Sequence, residues 1–137
     1  MTNRKLIILM IGFGIYLFIP CFIDEVKGQM LKKLSVHETT LRKKSIKTIV
    51  PKYPKEAIKV NASGVAVSEI TISEDGTVVD VKILESPHSS INASMIEALK
   101  QWKFNPFYLN GKPQKVSGKI TFYFVLENKK AKVESPY

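Results

Sequence analysis

Residues 65–85, VAVSEITISEDGTVVDVKILE, are two apolar runs on either side of Glu74-Asp75-Gly76. Each run alternates with the period of two expected of a β-strand with one buried face. The alternation predicts a first strand over 65–73, with Ala66, Ser68, Ile70 and Ile72 on one face. Val65 and Val67 fall on the other face, which predicts a bulge near Ser68. Gly76 supplies the positive φ that a tight hairpin needs. A second strand over 77–85 then sets Val79, Val81 and Ile83 against Asp80 and Lys82.

Downstream, the period changes to that of a helix. Met95, Leu99 and Trp102 recur at i, i+4 and i+7, with Ala98 beside them. Asn92 is the expected N-cap, and Ile91 before it staples onto Ile96. Pro106 stops the helix soon after Trp102. Asn110-Gly111-Lys112-Pro113 is a turn into a last strand over 115–126. That strand places Val116, Gly118, Ile120, Phe122, Phe124 and Leu126 on one face and Thr121, Tyr123 and Val125 on the other. Upstream, Pro54 opens a short helix over Lys55–Lys59, and Asn61 to Gly64 close it. The expected fold is α+β: a small two-layer domain at 51–127, its three-stranded antiparallel sheet packed by one long and one short helix. About a dozen large apolar residues form its core, each stabilising by ~1.5–3 kcal/mol. A core of this size predicts marginal to moderate stability and leaves both a monomer and a strand-exchanged homodimer open. A three-stranded sheet leaves borders unpaired, and such a border accepts extended peptides.

The charge lies outside that domain. Residues 27–52 hold eight Lys or Arg and one acid, Glu38, whereas 53–127 hold eight basic and eight acidic groups. The formal charge of +9 is therefore carried mostly by a basic linker at 29–50, and a basic tail follows at 128–137. A nucleic-acid binder carries its Lys and Arg on the fold, interleaved with aromatics, so no nucleic-acid partner is expected. The run Arg42-Lys43-Lys44 suits an anionic surface or a solvated linker. His37 and His88 are isolated, and Cys21 is the single cysteine, so neither a metal centre nor a disulfide is expected. No nucleophile, base or phosphate-loop constellation is present; no catalytic residue and no cofactor are assigned, and the chain is not read as an enzyme.

Residues 1–28 read as an export segment. Arg4 and Lys5 precede the uncharged run 6–23, and Asp24 and Glu25 follow it. Three readings stand: a signal cleaved after Gly28, a membrane anchor retained at 6–23, and a lipid on Cys21. Each exports the domain from the cytoplasm, either free or tethered to a membrane.

Seven of these pieces occur in one order: Tyr53-Pro54, Gly64, Asp75-Gly76, Ile91-Asn92, Trp102-Lys103-Phe104-Asn105-Pro106, Asn110-Gly111-Lys112-Pro113 and Ile120 to Leu126. In that order the chain from about Pro51 to Leu126 resembles the C-terminal domain of TonB-type energy transducers. The resemblance implies a periplasmic domain that pairs with a short extended segment of an outer-membrane TonB-dependent receptor, in energy-coupled transport. It also implies inner-membrane proton-channel proteins as partners if the chain is anchored. The docking border would be the outward backbone of Val116, Ser117, Lys119, Thr121, Tyr123 and Val125, with Val50, Pro51 and Tyr53 as the pre-helix contact segment. The chain departs from the family at two points. Val50 stands where well-studied transducers have Gln. No Pro-rich spacer is present, and residues 24–49 fully extended reach at most roughly 90 Å. An envelope adaptor that reuses the fold without transmitting force, and touches an anionic surface through Arg42, Lys43, Lys44 and Lys47, is the alternative.

Overall fold

The computed structural model describes residues 33–136. The export segment lies outside them, as do the readings made on it. No helix among the described residues is long and apolar enough to cross a membrane.

The fold is α+β. Nine strands and three helices run in the order β1 (Leu34–Ser35), α1 (Glu38–Lys44), β2 (Ser45–Lys47), α2 (Lys55–Lys59), β3 (Gly64–Ile72), β4 (Val78–Glu85), α3 (Ser89–Lys100), β5 (Lys103–Phe104), β6 (Phe107–Leu109), β7 (Lys112–Gln114), β8 (Val116–Glu127) and β9 (Lys130–Glu134). The main sheet has five strands rather than three. Its order is β1-β8-β3-β4, and β9 also pairs with β8. The expected three strands are its centre: β3 lies antiparallel to β4 on one side and to β8 on the other. The two added strands come from the segments read as linker and tail. The linker also yields α1, and β2, which pairs with β5. Short ladders such as these hold by register against a partner strand, which is why no period marks them in the sequence.

Alternation on β3 is as expected, with Ala66, Ser68, Ile70 and Ile72 all fully buried. The register with β4 slips at Val67/Ser68 and again at Thr71/Ile72. The second slip places Val78 in the core and leaves Val79 52% exposed, reversing the expected face of Val79. At the hairpin, Gly76 has φ 86°, and a Cβ there would strike the Phe104 carbonyl oxygen. Its own carbonyl accepts from the Phe104 N–H at 3.0 Å. Asp75 accepts from the Thr77 N–H at 3.0 Å and from the Ser73 hydroxyl. The Ser73 bond first, and the Thr77 groups next, hold its carboxyl below the ordinary Asp value. The stability this adds is present above the unfolded Asp value and is lost as pH falls through the lowered folded one. An NMR titration of the Thr77 amide should therefore show a midpoint below that of an unstructured Asp.

Helix α3 begins three residues earlier than expected, because the His88 ring caps it: Nδ1 accepts from the Ser90 N–H at 3.2 Å. Asn92 lies within the first turns, and its buried Oδ1 meets no hydrogen-bond donor among the described residues. Ile91, Met95, Ala98 and Leu99 face the sheet. Trp102 continues that stripe just past the helix at 1% exposure, ring edge-on to Phe122 at 6.1 Å and indole N–H donated to the Ile49 carbonyl at 2.8 Å. Asn110 and Gly111, both at positive φ, join β6 and β7 into a separate two-stranded ribbon, which the turn residues alone did not announce.

Candidate functional site: the outer border of the last strand

β8 is the longest strand, and its inner side is fully paired with β3 from Val116 to Phe124. On a strand, alternate residues point their N–H and C=O groups to opposite neighbours. Thr121 points both toward α1, away from β3. The groups of 117, 119, 121, 123 and 125 therefore form the outer border; those of Val116, expected there too, fall on the side of β3.

That border is occupied by the chain itself. At its start, Leu34 and Ser35 lie parallel to Val116 and Ser117, and the Val36 N–H donates to the Ser117 carbonyl at 2.7 Å. At its end, β9 runs antiparallel, with Tyr123 opposite Glu134 and Val125 opposite Lys132. Between the two lies α1. Glu38 Oε1 accepts from the Thr121 N–H at 2.9 Å, and Oε2 accepts from the Thr121 hydroxyl at 3.0 Å. Arg42 Nη2 donates to the Thr121 carbonyl at 2.8 Å. The two side chains are themselves an i,i+4 ion pair at 2.7 Å, each only 13% exposed. The expectation of an open β8 border is thus corrected. Segments with no apparent pattern of their own fill it, since each reads as polar chain until it meets the strand.

The other expected residues are spread. Val116 and Ser117 are buried beneath β1, and Lys119 is exposed. Tyr53 packs its ring edge-on against Phe124 at 5.2 Å, so it reaches β8 from the core side. Its hydroxyl donates to the Ala62 carbonyl at 2.6 Å, and burial raises its pKa. Val50 is exposed and Pro51 is buried. The carbonyls beside them, Ile49 and Lys52, accept from Trp102 and Ser94. The pre-helix segment is thereby tied to α3 and its exit. The basic cluster is divided too. Arg42 turns inward, its guanidinium 5.5 Å from the Phe122 ring and 5.8 Å from the Trp102 ring, and Lys44 lies over Phe107 at 5.5 Å.

From the sequence, Glu38 has no expected site role and Arg42 only a surface contact. Their spacing of four, acid before base, was the available signal. The sheet's opposite border, on β4, carries no further strand among the described residues. Register slips near both of its ends, with Asp80, Lys82 and Glu85 exposed between and beside them, are the usual guards against foreign pairing.

A family model described as the Gram-negative bacterial TonB protein C-terminal matches residues 49–126. The chain is 34% identical over 80 residues to Protein TonB of Vibrio cholerae serotype O1, covering 58% of this chain and 33% of that protein. It is 28% identical over 71 residues to Protein TonB of Xanthomonas campestris pv. campestris, covering 51% of this chain and 31% of that protein. The chain thus spans about a third of the length of these relatives. The solution NMR structure of the Pseudomonas aeruginosa TonB CTD superposes with a TM-score of 0.51 at 27% identity, covering 64% of this chain and 89% of that one. The sheet of β3, β4 and β8 under α3, and the matched span that contains it, establish that this chain belongs to the TonB C-terminal family.

Proposed function

We propose that this domain works in the periplasm and captures a short extended segment of an outer-membrane receptor, adding it as a strand to the outer border of β8 at residues 123–127. The supporting observation is β9, a resident strand already seated there with little side-chain contact to the core. It joins β8 through only Asn128 and Lys129, both at positive φ as a two-residue hairpin turn requires. Of its side chains only Val133 packs against the core. Its Lys132–Glu134 pair is largely exposed, so solvent screens it and it adds little to the hold on β9. A strand held so lightly opens easily and leaves a border of the right length and polarity for a guest.

Force transmission has less room than the sequence suggested. Residues 33–47 are used by the fold, so only residues 24–32 separate the apolar run from it. Nine extended residues reach at most roughly 32 Å. Capture near the anchoring membrane, or by a released domain, fits that reach better than a pull across the periplasm.

The test compares the full chain with a chain ending at Glu127, titrated with decapeptides tiled across the periplasm-facing segments of outer-membrane receptors. Removal of β9 should tighten binding about tenfold. Tyr123→Pro in the shortened chain should abolish it by removing an outward N–H, with far-UV circular dichroism unchanged. Equal affinity for both chains, or undiminished binding by the proline variant, would exclude this border.

A further inference from the structure

We infer that residues 34–42 are a latch on the docking border: a segment of the chain that competes with any guest long enough to pass Thr121. The inference rests on the strand-addition reading above and adds a control to that same site. β9 covers only 123–127. A guest of five residues fits that seat. A guest of about ten, at ~3.3 Å per residue, continues past Thr121 toward Ser117.

There it meets the latch. The Glu38 carboxylate and the Arg42 guanidinium hold the N–H and the C=O of Thr121, the two groups that a neighbouring strand would hold. The side chains of one helical turn thus stand in for a strand. Their hydrogen bonds are charge-assisted and largely screened from water. Leu41 anchors the turn, fully buried, and Val36 ties it to Ser117. While the latch is closed, a long guest binds only to the fraction of molecules in which it is open, and its apparent affinity falls by that fraction. Short guests do not feel the latch. The domain therefore discriminates by guest length, and anything that draws residues 34–42 away raises affinity for long guests.

The experiment uses the full chain and two synthetic peptides, the ten-residue receptor segment that binds best and a five-residue version retaining the part that pairs with 123–127. Glu38→Ala removes the acceptor for the Thr121 N–H and hydroxyl. Glu38→Gln keeps an uncharged acceptor of the same shape and guards against a folding defect. Lys43→Ala, exposed on the same helix, is the control. In Glu38→Ala the Thr121 amide should exchange about tenfold faster, and the ten-residue peptide should bind about tenfold tighter, the size expected for one charge-assisted hydrogen bond. Glu38→Gln should give a smaller change in the same direction. The five-residue peptide should bind all variants alike. If the Thr121 amide opens while both peptides bind Glu38→Ala as they bind the parent chain, the latch is refuted and strand addition stands. If no tiled peptide binds either the parent chain or the chain ending at Glu127, strand addition fails and the latch falls with it.

Discussion

Trp102→Ala should cost about 3–5 kcal/mol, a large share of the roughly 5–15 kcal/mol that holds a domain of this size together. The ring is 1% exposed. It lies 6.0 Å from Phe104 on β5 and 6.1 Å from Phe122 on β8, and Arg42 of α1 sits over it at 5.8 Å. Its indole N–H donates to Ile49, fixing the segment that leads into Pro51 and Tyr53. Truncation empties a large volume at the meeting point of the helix exit, the sheet and the N-terminal arm formed by β1, α1 and β2, residues 34–47. Rings this size cannot be replaced by relaxation of neighbours that are themselves fully packed. Urea unfolding should show the midpoint falling sharply. Trp102→Phe separates the contributions. It keeps most of the ring but strands the Ile49 carbonyl, so about 1–3 kcal/mol should be lost. A loss below about 1 kcal/mol for the alanine variant would show that the arm and the helix exit are held independently of this ring.

The bulk of the fold was legible because it repeats. β3 carries four buried residues in strict alternation, and α3 carries a stripe three turns long. Such patterns need no knowledge of what they pack against. The remainder had no such pattern. α1 is seven residues, too short to be stable in water without tertiary support. β1 has two residues and β2 three, fewer than one cycle of reliable alternation. β9 reads as a charged tail until Val133 is seen against the core. The slips in β4 exchanged Val78 for Val79 through one extra residue, a change that alternation cannot report. Competition between caps misplaced the start of α3, since His88 and Asn92 are both able to accept and only His88 sits where the first free N–H groups point. β8 stands out in the sequence as a long alternating apolar run, but the strands beside it do not. Which strand is central follows from composition, but what lies beside it depends on residues from distant parts of the chain.

Gly118→Val should detach the N-terminal arm while leaving the rest of the sheet in place. Gly118 stands on the core-facing side of β8, in the span between β1 and β9. A Cβ there would strike the Val36 carbonyl oxygen and press on Leu41 Cδ1 at 2.5 Å and Cγ at 3.3 Å. Leu41 can rotate, but the Val36 carbonyl belongs to the backbone that enters α1, so the whole turn must lift. Lifting exposes Leu41, a loss of about 1.5–3 kcal/mol. It also breaks the three bonds that Glu38 and Arg42 make to Thr121, each charge-assisted bond contributing roughly 1.5–3 kcal/mol net of solvent. The three atoms nearest that Cβ all belong to Val36 and Leu41, so β3, β4 and α3 should keep their protection. Hydrogen exchange should therefore show loss at Val36, Leu41 and Thr121 but not at Ile70 or Leu99, and trypsin should cut after Arg42, Lys43 or Lys44. Global unfolding would mean that the arm and the sheet form one cooperative unit. Unchanged protection at Thr121 would mean that β8 bends to accommodate the valine. Glu38→Ala makes the comparison sharper, because it releases Thr121 without disturbing Leu41. If the arm is a discrete unit, the valine variant should expose the border from Val116 to Thr121, and the alanine variant only its middle.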